Sequence, residues 1–210
     1  MKNRKTRSAM RRMLFTLALV LVVAVASVGG TIAWLTDKTA PVTNTFTVGD
    51  INITLTETGT TDNAKQYKII PGTNLSKDPK VTVEAGSENC WLFVKVEEKN
   101  WPNTNNITYS IDTANWTQLG STVTETTGEG ATLKTIRTSI YYMDIDSAAK
   151  MGIAYSVLNN DQVVVSNVLT KAEMNAIRSG DYAPSLTFKA YAIQQENITD
   201  VQDAWNKVKD

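Results

Sequence analysis

The sequence predicts an all-β fold: an antiparallel β-sandwich with one or two short accessory helices, preceded by a signal-peptide helix. Three features of the chain point there. From residue 46 onward apolar residues recur with period two in short runs, which lines one face of a pleated strand. The runs are separated by polar, glycine-bearing clusters, whereas a parallel sheet would interleave them with helices. Twenty-nine threonines supply a β-branched polar side chain that suits the solvent face of a sheet.

The export segment comes first. Lys2, Arg4, Lys5, Arg7, Arg11 and Arg12 place six positive charges ahead of residue 13, with no acid among them. Residues 13–28, MLFTLALVLVVAVASV, are uncharged and almost wholly apolar. Small residues follow, completing the three parts of a secretory signal. A retained anchor would need about 20 apolar residues to span a bilayer. This run is shorter, and Gly29 and Gly30 weaken a helix where a span would continue. Thr31 and Ala33 stand at the −3 and −1 positions of a cut before Trp34. The expected division is a signal peptide over 1–33, an extended arm over 34–45 and a sandwich domain over 46–210.

The arm, WLTDKTAPVTNTFTV as it enters the domain, is extended in character, because Pro41 and the threonines oppose a helix. Trp34 and Leu35 are too apolar to be left in water. Two readings follow. The arm tucks onto its own sandwich, or Trp34, Leu35, Pro41, Val42 and Phe46 add to an exposed edge or groove of the next molecule. A head-to-tail contact of that second kind does not close and propagates as a fibre.

Strands are expected over 46–56 (Ile51, Ile53 and Leu55 on one face), 81–85, 90–98, 107–111, 132–145, 162–168 and 185–193. In 90–98, Leu92, Val94 and Val96 share a face while Trp91 and Phe93 lie opposite, so the start of this strand is expected to be covered on both sides. Two helices interrupt the series. LTKAEMNAIRSGD offers Thr170 as N-cap, Glu173 as its reciprocal partner and Gly180 as terminator. ITDVQDAWNKVK repeats the device with Thr199 and Gln202, and sets Val201 and Trp205 on one face.

Composition excludes several chemistries. Beyond residue 12, fifteen basic and twenty-one acidic residues leave a net charge of −6, so there is no cationic footprint for nucleic acid. The chain contains no histidine. A helix-borne zinc protease site and an imidazole-relay hydrolase therefore cannot be built. Cys90 is the sole cysteine; flanked by Trp91, Leu92 and Phe93, it reads as a small buried apolar residue. Asp144 and Asp146 could share a face and hold a hard cation, although two solvated acids ending a strand is the plainer reading. Glu97 and Glu98 point to opposite faces. Five Asn-x-Ser/Thr sites, at Asn52, Asn74, Asn106, Asn115 and Asn197, are cheap by chance in so Thr- and Asn-rich a chain. Trp91, Trp101, Trp116, Trp205, Tyr141 and Tyr142 read as plugs of the sandwich edges and ends rather than as a sugar-binding platform. No catalytic residue, cofactor site or metal site is assigned.

The join GGTIAWLTDKTAPVTNTFTVGDINITLTE resembles the export segment and first strand of the TasA/camelysin family. These are exported proteins of Gram-positive bacteria cut by a dedicated, eukaryote-like type of signal peptidase. IIPGTNLSKDPKVTVEAGSENCWLFVKVEE is similar to the family's second block, and LTFKAYAIQQENITDVQDAW to its terminal strand and tryptophan-bearing helix. Residues 103–179 match loosely. The resemblance implies a jelly-roll-like sandwich that is secreted to the cell surface or extracellular matrix, where it serves in biofilm or surface fibres. Its implied partners are further copies of itself, other matrix proteins and the dedicated signal peptidase during export, with membrane contact only through the uncleaved leader. Some members are called metalloproteases, and the absence of histidine keeps that label from being carried over. An exported metalloprotease of camelysin type and a surface glycan-binding module using Trp101 are the alternatives of different class.

Overall fold

The computed structural model of the chain describes residues 49–59, 65–177 and 179–209, all within the unit Val48–Asp210. Ten strands run in chain order: β1 (Ile53–Thr56), β2 (Asn74–Ser76), β3 (Lys80–Val83), β4 (Cys90–Lys99), β5 (Ile107–Thr108), β6 (Thr117–Thr127), β7 (Lys134–Ile145), β8 (Tyr155–Ser156), β9 (Gln162–Val165) and β10 (Ser185–Gln194). Helix α1 (Lys171–Ala176) follows β9, and α2 (Val201–Val208) follows β10. Every ladder is antiparallel. The strands form one four-stranded sheet, β10-β4-β7-β6, and two three-stranded sheets, β1-β3-β8 and β2-β9-β5.

The period-two pattern of β4 organises the core. Leu92, Val94 and Val96 are buried together with Val81 and Val83 of β3, Ile145 of β7 and the following Val157. Trp116, only 2% exposed, closes this cluster, and its indole N–H donates to the Ser156 carbonyl at 2.8 Å. That bond satisfies the one polar atom of a side chain otherwise suited to full burial. A second cluster, of Ile107, Val163, Val165 and Leu169, lies with the β2-β9-β5 sheet. Tyr109 and Leu186 pack on both clusters.

The start of β4 is covered on both sides, as its sequence predicts. Phe93 faces away from the main core and is nevertheless fully buried, because Trp205 of α2 lies on it with ring centroids 5.4 Å apart. Tyr191 of β10 meets the same indole edge-on, at 5.4 Å and 89°.

Several boundaries differ from expectation. The first strand begins at Ile53, and Phe46 lies outside the described residues. The strand expected over 107–111 ends at Thr108, since Ile111 bridges to Leu158 instead. The 132–145 strand begins at Lys134, after a 3-10 turn over Gly130–Thr132. The 162–168 strand ends at Val165; the Ser166 hydroxyl then accepts from the Val168 amide and turns the chain. Strands β2, β6 and β8 have no counterpart among the expected strands.

Helix α1 carries the expected capping box: the Thr170 hydroxyl accepts from the Glu173 amide, and the Glu173 carboxylate accepts from the Thr170 amide. Gly180 does not terminate it. The helix ends at Ala176, and Gly180 (φ +63°) opens a separate 3-10 turn. Helix α2 is capped by Asp200, not Thr199: Asp200 accepts from the Asp203 amide at 2.8 Å, and the Asp203 carboxylate takes the Thr199 amide and the Lys207 ammonium. A carboxylate is the stronger acceptor at a positive helix end, so the cap moves one residue along.

Candidate functional site

The residues expected to mark cleavage (Thr31, Ala33, Trp34) and the arm (Trp34, Leu35, Pro41, Val42, Phe46) lie outside the described residues.

The candidate acid pairs are occupied by other work. Asp146 pairs with Lys150 at 3.0 Å, and the same ammonium donates to the Asp144 carbonyl. The Asp144 carboxylate accepts from the Gln195 amide. Glu98 faces the interior, where Arg137 Nε sits at 2.6 Å and the Tyr109 hydroxyl donates at 2.7 Å. Burial and the bond to Glu98 push the Tyr109 phenol well above its ordinary range. Glu97 faces outward beside Lys95 at 3.6 Å. Among the described residues no three His, Cys, Asp or Glu side chains gather as a metal would require. Cys90 is free and fully buried; burial, then the nearby Asp144, push its thiol up to about 11. Such a thiol is inert as a nucleophile at neutral pH.

The aromatic residues form separate pairs. Trp91 meets Tyr142 at 6.0 Å, Trp101 meets Tyr109 at 5.6 Å, and Trp205 is held by Phe93 and Tyr191. Of the Asn-x-Ser/Thr amides, those of Asn52, Asn106 and Asn115 already donate to Asp50, Glu173 and Asp112.

Two surfaces remain. The first is strand β6, the more exposed of the two edges of the four-stranded sheet, eleven residues long and exposed at every position but Leu119. It pairs with β7 on one side only, and its register shifts between Leu119 and Val123, where Gly120 takes φ +68°. An edge of that length leaves a row of backbone groups open to another strand.

The second is a groove of about 780 Å³ beside the second cluster, lined by Ile69, Leu75, Trp101, Met174, Ile177 and Leu186, among others. Tyr67, Lys65, Lys68 and Lys77 stand along it. Tyr67 and Lys77 are locked by Glu57: the phenol donates to one carboxylate oxygen at 2.7 Å and the ammonium sits 2.8 Å from the other. Lys77 also lies over the rings of Tyr67 and Phe188 at 5.7 and 5.2 Å, a desolvated cation–π arrangement that fixes this wall. The groove escaped the sequence reading because its lining comes from five separated segments, each unremarkable in composition. No protein-family model matches the chain, and neither a curated protein nor a solved structure matches it.

Proposed function

We propose that this chain is an exported, non-enzymatic structural protein of TasA/camelysin type, a subunit or accessory of extracellular matrix or surface fibres, built on a jelly-roll-like sandwich. The observation that carries the proposal is strand β6, an eleven-residue exposed edge, in a chain whose sequence predicts a leader followed by an extended arm bearing Trp34 and Leu35. Edge strands are ordinarily shielded with lysine, proline or bulges; β6, TQLGSTVTETT, has no lysine or proline, and its bulge leaves Val123 to Thr127 in continuous register.

In this reading the leader is removed before Trp34, the freed arm adds to an edge or groove of the next molecule, and the chain of contacts runs on as a fibre. Each backbone bond made in this way nets about 0.5–1.5 kcal/mol, so several bonds plus a buried Trp34 outweigh a moderate ordering cost. While the leader remains, the arm is tethered to it and assembly waits for export. The lack of histidine supports a structural over a catalytic role.

The test compares three chains by electron microscopy: one beginning at Trp34, one lacking residues 34–45, and one with extra residues ahead of Trp34. Only the first is expected to form fibres. Equal fibre formation by all three would eliminate the arm as the assembling element.

A further inference from the structure

We infer that the groove beside the second cluster is a binding site for a fatty carboxylate of about twelve carbons, an alkyl chain with an anionic head. This goes beyond the assembly reading and does not depend on it. The volume of about 780 Å³ lies within the roughly 300–1,000 Å³ usual for small-ligand sites, which are mostly apolar with a few placed polar groups. The walls fit that description: Ile69, Leu75, Trp101, Met174, Ile177 and Leu186 make the apolar body.

The ligand class follows from which polar groups are spare. No aspartate or glutamate is among the described lining residues, whereas three lysines are. The Lys77 charge is taken by Glu57. Lys65 gives two of its protons to the carbonyls of Thr58 and Ser76, at 3.1 and 3.4 Å, and meets no carboxylate among the described residues. Lys68 is exposed and makes no ion pair among them. Two ammonium groups with no carboxylate partner among the described residues, Lys65 also lying over the Tyr67 ring at 5.1 Å, thus stand at an apolar groove in a domain whose overall charge is negative. Charge complementarity selects an anionic head.

The body of the ligand is selected by what the groove lacks. An extended peptide brings an N–H and a C=O per residue, each needing a partner. Against that demand the lining side chains offer few partners, the Gln66 amide, the Trp101 indole N–H and the Ser179 and Ser185 hydroxyls beside the lysines, the Tyr67 hydroxyl being held by Glu57. An alkyl chain makes no such demand and gains about 0.8 kcal/mol per buried CH₂. A carboxylate on an alkyl chain satisfies both halves of the site.

Dodecanoate, titrated below its micelle concentration into the full chain and followed by tryptophan fluorescence and calorimetry, is the probe. Because residues 13–28 can themselves take up alkyl chains, the comparison is between the natural chain and variants in the same form. Saturable one-to-one binding is expected. Lys68→Glu, at an exposed position, should raise the dodecanoate Kd about tenfold, as reversing one nearby charge does at intermediate dielectric, and leave dodecanol binding unchanged. Met174→Trp, which fills the groove from α1, should weaken acid and alcohol alike. Any of three results overturns the inference: no saturable uptake, an unchanged Kd in Lys68→Glu, or dodecyltrimethylammonium binding as tightly as dodecanoate. Displacement of dodecanoate by a glutamate-rich peptide would assign the groove to an acidic polypeptide instead, and equally overturn it.

Discussion

Glu173 receives hydrogen bonds from the Thr104 hydroxyl at 2.5 Å, the Asn106 amide at 2.9 Å, and the Thr170 amide and hydroxyl at 2.8 Å each. These bonds, Thr104's first, hold its carboxyl down to about 2 from an ordinary 4.5. A carboxyl depressed by folding contributes stability that is complete above its ordinary value and disappears as pH falls through its folded one. Between pH 5 and 2 the urea midpoint of the natural chain should therefore fall more steeply than that of Glu173→Gln, which has no charge to lose; parallel curves would refute the linkage. The motif T-x-x-E made half of this arrangement readable in advance. The other half was not readable, because Thr104 and Asn106 lie 69 and 67 residues away and no local pattern announces so distant a partner. Glycines behave in the same divided way. Gly120 and Gly128 both adopt positive φ, but a Cβ on Gly120 meets nothing, while one on Gly128 comes within 2.5 Å of the Thr132 carbonyl oxygen. Gly120→Ala should cost about 1–2 kcal/mol of left-handed strain. Gly128→Ala should cost that and a backbone displacement besides, read as a larger drop in thermal midpoint; equal drops would show that the turn gives way freely.

At the scale of elements, alternation was the strongest signal, and it located the strands that bury one face. β3, β4 and β10 were expected at or within a residue or two of their actual bounds, since each carries apolar residues at every second position. β6 was missed for the complementary reason. An edge strand with only Leu119 half-buried needs no apolar alternation, so its sequence reads as a loop. β2 and β8, at three and two residues, are too short to show a period at all. Helix α2 was expected, and its length of eight residues makes it dependent on docking. Trp205 supplies that docking by covering Phe93 and Tyr191, and Ala204 beside it is fully buried. Trp205→Ala should destabilise the domain by about 3 kcal/mol, the lower end for removing a large packed aromatic. Amide exchange would localise the effect: α2 should lose protection, and the amides around Phe93 should follow. Loss confined to the helix would mean that Phe93 is held by the sheet alone.

At the scale of the whole molecule, the proposed assembly requires a folded domain that also presents something for the next copy to hold. In the proposed assembly, with the inner face of the four-stranded sheet committed to the core and part of its outer face to α2, an incoming strand would add at β6, the more exposed of its two edges. The edge is not wholly open. The bulge between Leu119 and Val123 interrupts its ladder and divides it into two stretches, Thr117 to Leu119 and Val123 to Thr127, of which the second is longer and continuous in register. Lysines placed there, as Val123→Lys and Thr126→Lys on opposite faces, would charge the edge as natural proteins do to prevent strand addition. Both positions are exposed, so the unfolding free energy of the isolated domain, read from urea denaturation, should change by less than about 0.5 kcal/mol. Fibre formation by the chain beginning at Trp34 should be lost or greatly slowed, scored by electron microscopy and by sedimentation. Fibres growing at an unchanged rate from a correctly folded double variant would move the acceptor away from β6 while leaving the role of the arm to its own truncation test. The two elements of the proposed contact can thus fail separately.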